Sequence, residues 1–169
     1  MTAIFFGILH GWSISSPWSG QALWWLQLVA MAWLIPRANF KIGFLFSLAW
    51  FTSSIWWLYT SMHVYGGLAA PLAALGVVAL CSLLASFYAL ACAAFLKLKS
   101  EDAKRPIQDA LLFTALWLLA ELVRGTIMSG LPWSAVGYAH IDGPLVSAAP
   151  WVGVYGISAL AAFMTALFV

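Results

Sequence analysis

Long apolar stretches, separated by short polar breaks that contain glycine and proline, dominate the chain. A helix that crosses a bilayer needs about 20 mostly apolar residues. Six stretches approach that length, at approximately residues 1–15, 21–35, 42–62, 70–96, 107–129 and 146–169. The pattern therefore predicts an all-α, polytopic membrane protein with about six transmembrane helices in a single domain over residues 1–169.

The breaks contain residues that typically begin or end helices. Pro36 ends the second stretch, and Pro106 suits the first turn of the fifth, where Asp109 complements the helix dipole. The small polar residues at 52–54 fall inside the third stretch, and we expect them to pack helices together rather than to bind a ligand. The first stretch lacks a preceding basic segment, which favours a membrane helix over a signal peptide.

Composition excludes a soluble domain. Hydrophobic residues make up 64% of the 169 residues and charged residues 7%, whereas typical soluble domains are about 25% charged. The formal net charge is only +2, and no basic face is clustered as nucleic-acid binding requires. The bilayer is therefore the expected partner, and nucleic acid is not.

The positions of the basic residues predict the orientation. Two loops contain six of the seven basic residues: Arg37, Lys41, Lys97, Lys99, Lys104 and Arg105. Two predicted spans separate these loops, so they share a side, and basic residues in short loops mark the cytoplasmic side. Loops 36–41 and 97–106 are then cytoplasmic, and loops 16–20, 63–69 and 130–145 face the other side. Eight tryptophans near that other side fit an interfacial aromatic belt: Trp12, Trp18, Trp24, Trp25, Trp56, Trp57, Trp133 and Trp151.

The fifth stretch contains an acid and a base, Glu121 and Arg124. Their spacing of three places them on one helical face, where each can neutralise the other. Ionisable residues inside a membrane are costly and usually functional. Two interpretations stay open: Arg124 binds a lipid phosphate, or the pair ties its helix to a neighbour or to the following loop.

The loop that follows is rich in glycine, proline and aromatic residues. Gly130 and Gly143 permit backbone turns that other residues resist. Irregular backbone at membrane depth persists only when it is buried in protein or lines a wet cavity. The loop is therefore either the floor of a lipid-accessible chamber or simply a connection between two helices.

Catalytic machinery is not visible in the sequence. Cys81 and Cys92 lie in one apolar stretch, about 16 Å apart along a helix, too far apart for a disulfide and in surroundings that make a thiol inert. His63 and His140 do not show the close spacing of zinc ligands. We therefore expect no catalytic residue, metal or cofactor in this chain.

Several motifs resemble the membrane part of apolipoprotein N-acyltransferase, a bacterial inner-membrane enzyme of lipoprotein maturation. They are Trp117-x-x-x-Glu121-x-x-Arg124-Gly125, Ser129-Gly130-Leu131-Pro132-Trp133, Gly137-Tyr138-x-x-Ile141-Asp142-Gly143-Pro144-Leu145, and the run from Gly43 through Trp57 and Tyr59 to Gly66-Gly67. The resemblance is strong across residues 40–169. Over residues 1–39 it is weak, with only the helix pattern and Ser16-Pro17 in agreement.

The resemblance implies transfer of an acyl chain from a phospholipid, through an enzyme cysteine thioester, to the N-terminal diacylglyceryl-cysteine of an apolipoprotein. The family uses a Glu-Lys-Cys set on a nitrilase-like domain, and we expect that domain to be absent here and the chain to be inactive alone. The motif residues that would shape or support the lipid chamber are Glu121, Arg124, Gly130, Trp133, Tyr138, Asp142 and Gly143. The extracytoplasmic loops would then be periplasmic. The alternatives are a non-catalytic scaffold or lipid-binding subunit and a small transporter.

Overall fold

The computed structural model describes residues 1–100, 106–127 and 130–169, and these residues are helical with no strand. Seven α-helices follow in order: α1 Thr2–Ile14, α2 Trp24–Leu34, α3 Phe40–Ile55, α4 Trp57–Thr60, α5 Ala70–Leu98, α6 Pro106–Thr126 and α7 Ala149–Phe168. Short 3-10 turns occupy Ile35–Arg37, Val136–His140 and Pro144–Ala148, and a π-helical turn occupies Ser61–Tyr65. The predicted all-α class is confirmed.

Fewer helices in the described residues meet the length and hydropathy of a membrane span than the six that the sequence pattern predicts. In the described residues, three helical segments are long and apolar enough to cross a bilayer: Ala70–Leu98, Pro106–Thr126 and Pro144–Phe168. A fourth span is formed if Phe40–Ile55 and Trp57–Tyr65 are counted as one bent unit. Helices α1 and α2 have 13 and 11 residues, less than the roughly 20 needed. The count of about six spans is therefore not confirmed.

The predicted span over residues 42–62 is broken rather than continuous. Helix α3 ends at Ile55, and the chain bends by 49° before Trp57. The hydroxyls of Ser53 and Ser54 both donate to the carbonyl of Trp50, at 2.9 and 2.8 Å. Such bonds back to the preceding turn bend helices, and they lie immediately before the break.

Helices α1 and α3 pack unusually closely through glycine. A Cβ atom added to Gly7 would lie 2.1 Å from the carbonyl oxygen of Phe46, and one added to Gly11 would lie 2.2 Å from Oγ of Ser53. The contact advances from Gly7 to Gly11 on α1, about one turn, and from Phe46 to Ser53 on α3, about two turns. Both advances have the same direction along the chain, so α1 and α3 run parallel. The spacing of four is the small-residue pattern that lets membrane helices approach each other. The sequence analysis missed it.

A buried aromatic cluster joins α3, α5 and α6. The rings of Trp50 and Trp117 stack 6.1 Å apart, and Tyr88 meets each of them edge-on at 4.9 Å. All three side chains are buried, and offset or edge-on ring pairs add to the energy of area burial. The cluster fixes Tyr88 with its hydroxyl toward the C-terminal half of α6, where Glu121 and Arg124 lie.

Candidate functional site

The two charged residues of α6 are buried side by side near the end of that helix. Arg124 is 1% exposed and Glu121 is fully buried. Nη2 of Arg124 lies 3.9 Å from Oε2 of Glu121, outside hydrogen-bond distance but close enough for strong attraction in a low-dielectric interior. The pair is therefore electrostatically matched, and each partner directs its hydrogen bonds elsewhere.

Arg124 connects three parts of the chain. Its Nε donates to the hydroxyl of Tyr88 on α5 at 3.0 Å, and its Nη1 donates to the carbonyl oxygens of Leu131 and Trp133, the latter at 2.8 Å. The planar guanidinium suits such fixed, forked donation. These hydrogen bonds favour the interpretation that Arg124 ties the following loop to its helix.

Glu121 holds the next part of the same loop. Its Oε1 accepts a hydrogen bond from the backbone N–H of Val136 at 3.2 Å, and its Oε2 accepts one from the hydroxyl of Ser158 on α7 at 3.0 Å. The same Ser158 oxygen accepts the N–H of Gly137 at 2.8 Å. Since buried charges are tolerated only when they are paired and hydrogen-bonded, this arrangement accounts for a carboxylate inside the bundle.

Two glycines of the loop fill positions that a side chain could not. Gly130 has φ +76°, and a Cβ there would lie 2.0 Å from the carbonyl oxygen of Gly125. A Cβ on Gly137 would lie 2.1 Å from the carbonyl oxygen of Val154 on α7. The backbone of the loop is therefore packed directly against α6 and α7, as irregular backbone within a membrane protein must be.

A family of known proteins matches almost the whole chain. The family described as "Apolipoprotein N-acyltransferase N-terminal domain" matches residues 4–167. The chain belongs to the apolipoprotein N-acyltransferase family. The match starts at residue 4, so it includes residues 4–39, where the motifs alone were weak.

Individual relatives agree with this membership. An apolipoprotein N-acyltransferase of Verminephrobacter eiseniae is 47% identical over 182 residues, which cover 99% of this chain and 33% of the relative. The apolipoprotein N-acyltransferase of Ralstonia nicotianae is 41% identical over 173 aligned residues, which cover 98% of this chain and 32% of the relative. That of Pseudomonas putida is 40% identical over 135 residues, covering 79% and 26%. The chain thus spans about a third of the length of the curated relatives it matches, and it is a bacterial membrane protein of an acyltransferase family.

The acyltransferase motifs divide into a buried and an exposed group. Glu121, Arg124 and the carbonyl of Trp133 belong to the hydrogen-bond network described above, and Gly130 packs beside it against the carbonyl of Gly125. The Trp133 ring is 55% exposed and meets the ring of Trp57 edge-on at 5.8 Å. Tyr138 and Asp142 lie on the surface, outside that network. Gly143 packs elsewhere, since a Cβ there would lie 2.8 Å from the indole of Trp24.

Sequence analysis missed three partners of the family motifs. Tyr88 and Ser158 complete the Arg124 and Glu121 network, and Oε1 of Gln27 lies 3.0 Å from Nε2 of His140. Each is a polar side chain within an otherwise apolar helix, which is a signal that a partner must exist. His140 itself is 1% exposed, and burial lowers its pKa to about 4. In the part of the chain that the structure describes, no group of three metal-ligating side chains comes together.

Proposed function

We propose that this chain is the membrane part of an enzyme that acylates the N-terminal diacylglyceryl-cysteine of apolipoproteins, with a phospholipid as acyl donor. The observation that carries the proposal is its match to apolipoprotein N-acyltransferases, 47% identical to the Verminephrobacter eiseniae protein over 99% of the chain. In the first step a cysteine thiolate attacks the phospholipid ester, a C–S bond replaces the C–O bond, and the alkoxide leaves as lysophospholipid after taking a proton. In the second step the α-amino group attacks the thioester, a C–N bond replaces the C–S bond, and the proton lost by the amine regenerates the thiol.

The reacting cysteine belongs to a part of the relatives that lies outside the matched third. Within the described residues, the two cysteines are both buried in α5 and free of disulfides. A nucleophilic thiol needs an activating base and solvent access, and neither surrounds Cys81 or Cys92. The family resemblance implies that the Glu-Lys-Cys set lies on a nitrilase-like domain, and we expect no transferase activity from residues 1–169 alone.

The role of residues 1–169 is to present the 130–145 loop to the substrates. Arg124 and Glu121 fix the backbone of this loop from below, which leaves the Trp133 ring, Tyr138 and Asp142 exposed on its far side. These exposed groups, with Gly143 at the loop's end, shape the chamber where acyl chains and headgroups meet the catalytic part. A preorganised loop keeps such groups within the narrow geometry that catalysis requires.

The enzyme lies in the bacterial inner membrane with this loop in the periplasm. Loops 16–20 and 63–69 share that side, and loops 36–41 and 97–106 are cytoplasmic, although residues 101–105 lie outside the described part. Exposed tryptophans support this orientation, since Trp18, Trp56, Trp133 and Trp151 all have large exposed fractions at the periplasmic end. Phospholipids of the outer leaflet and apolipoproteins can then both contact the 130–145 loop.

Mass spectrometry of a lipoprotein N-terminus tests this proposal. A host whose own N-acyltransferase can be switched off would carry either the complete reading frame of this protein or codons 1–169 alone. The complete frame is expected to restore the third acyl chain on the lipoprotein, and residues 1–169 alone are not. A diacylated lipoprotein in both strains, with the protein present in the membrane, would overturn the proposal.

A further inference from the structure

A groove of about 960 Å³ runs between α1 and α3 beside their close contact. Its volume is near the upper end of the roughly 300–1,000 Å³ found for small-molecule sites. On α1 the groove is lined by Ile4, Ile8, Trp12 and Ser15, whose spacing of three or four residues keeps them on one helical face. The groove therefore follows the length of α1 rather than crossing it.

The length of the groove corresponds to one leaflet of a membrane. From Ile4 to Ser15 there are eleven residue steps, or about 16 Å along the helix. The lining of the parallel helix α3 runs over the same distance, from Leu45 to Trp56. The hydrocarbon core of a bilayer is about 30 Å thick, so the groove covers about half of it.

The chemistry of the lining changes from one end to the other. The inner end is purely aliphatic, with Ile4, Ile8 and Leu45. The outer end offers the hydroxyls of Ser15, Thr52 and other small polar residues, together with exposed tryptophan rings. Of the described residues that line the groove, none is charged. An occupant with an apolar tail and a neutral, hydrogen-bonding end matches this gradient.

The outer end of the groove meets the loop that Arg124 holds. Trp133 and Ser134 both contribute to the lining. Ser134 has φ +67°, the only positive value among the described non-glycine residues. Such strained residues cost free energy and cluster at functional sites. The motif loop and the groove are therefore one continuous structure.

We infer that this groove binds one acyl chain of a phospholipid, with the methyl end beside Ile4 and the ester among the hydroxyls near Thr52 and Ser134. The inference rests on the proposed function and deepens it, because it assigns the donor chain to a particular pair of helices. The lack of charge in the described lining places recognition of the phosphate outside the groove. Thr52 then serves ligand binding, whereas the hydroxyls of Ser53 and Ser54 donate to the carbonyl of Trp50.

Photolabelling with two lipid probes tests the assignment. The protein from its complete reading frame would be placed in vesicles of phosphatidylethanolamine and phosphatidylglycerol. One phosphatidylethanolamine probe carries a diazirine near the methyl end of an acyl chain, and the other carries it near the ester. After irradiation, mass spectrometry is expected to find the first label around residues 4–8 and 45–48, and the second around residues 12–16 and 52–57. Labels spread evenly over all lipid-facing helices would overturn the inference.

Variants with a blocked groove provide the matched comparison. Ile8→Trp fills the middle of the groove and is expected to reduce the methyl-end label on α1 by about tenfold, as loss of contact for roughly two methylene groups would. Ile8→Ala opens the same position and should retain the label. Leu90→Trp is the control, because Leu90 lines a smaller furrow of about 250 Å³ between α5 and α6 whose described lining offers only apolar residues.

The outcomes separate this inference from the proposed function. Lipoprotein acylation together with dispersed labels would refute the groove and leave the acyltransferase assignment standing. Labels confined to the groove without any acylation would refute the assignment and leave the groove standing. An unchanged label in a folded Ile8→Trp protein would also refute the groove.

Discussion

Replacing Arg124 with alanine removes the central connection of the candidate site. The change deletes the bond to the Tyr88 hydroxyl and both bonds to the carbonyls of the 130–145 loop. It also leaves Glu121 without its counter-charge at 3.9 Å. The remaining bonds from Val136 and Ser158 satisfy the carboxylate oxygens but do not balance their charge.

The expected cost is a large part of the stability of the protein. Removing one partner of a buried pair destabilises proteins by about 3–5 kcal/mol, because an uncompensated charge stays in a low-dielectric interior. Total stabilities are only about 5–15 kcal/mol. For a chain of this length each kcal/mol shifts the melting temperature by roughly 2–4 °C, so Arg124→Ala should lower it by about 6–20 °C.

Thermal unfolding of the detergent-purified protein, followed by size-exclusion chromatography, measures this effect. Arg37→Ala is the matched control, since exposed Arg37 also donates to a carbonyl, that of Trp33 at 3.1 Å, and should cost less than about 1 kcal/mol. Adding Glu121→Gln to Arg124→Ala should recover part of the loss, because no unpaired charge remains. Equal melting temperatures for Arg124→Ala and Arg37→Ala would refute the reasoning.

Three further predictions concern the loop and the helix contacts. Gly130→Ala should destabilise the protein by more than Gly67→Ala does. Both glycines have positive φ, but only at Gly130 would the added Cβ lie within 4 Å of another atom. Left-handed strain alone costs about 1–2 kcal/mol at either position, and chemical denaturation compares the unfolding free energies of the two variants. Gly11→Val should separate α1 from α3 and lower the melting temperature by several degrees, at roughly 2–4 °C per kcal/mol, whereas no change in melting would exclude the close contact. Burial lowers the pKa of His140 from 6.5 to about 4, so between these pH values the unfolded chain binds more protons than the folded one. The contribution of His140 to the free energy of unfolding should therefore be fully present above about pH 6.5 and decrease as the pH falls toward 4. His140→Gln, whose amide can still donate to Gln27, should reduce this acid dependence, and an identical pH profile in the variant would contradict it.

The helical class could be predicted because it depends on local composition. Long apolar runs with few charges can satisfy all their backbone hydrogen bonds in a membrane as helices, within a single segment. The number and straightness of the spans could not be predicted in the same way. The bend after Ile55 follows hydrogen bonds from the hydroxyls of Ser53 and Ser54 to the carbonyl of Trp50. A hydropathy pattern does not predict which carbonyl accepts such a hydrogen bond.

The candidate site could be predicted only where its partners are close in sequence. Glu121 and Arg124 are three residues apart, so helix geometry alone places them together. Tyr88 and Ser158 lie 36 and 37 residues from their partners, and helix register over that separation is set by packing. The same limit applies to the contact of Gly11 with α3 and to the groove beside it.

Labelling from outside the cell tests most directly whether the loop held by Arg124 and Glu121 faces the periplasm. The exposed residues Asp142 and Lys99 would each be replaced by cysteine in a protein whose Cys81 and Cys92 have been changed to alanine. A membrane-impermeant maleimide added to cells with a permeable outer membrane should react with Asp142→Cys and not with Lys99→Cys until the inner membrane is opened. If only Lys99→Cys reacted in intact cells, the topology would be the opposite of the one proposed, and this result would contradict the acyltransferase account.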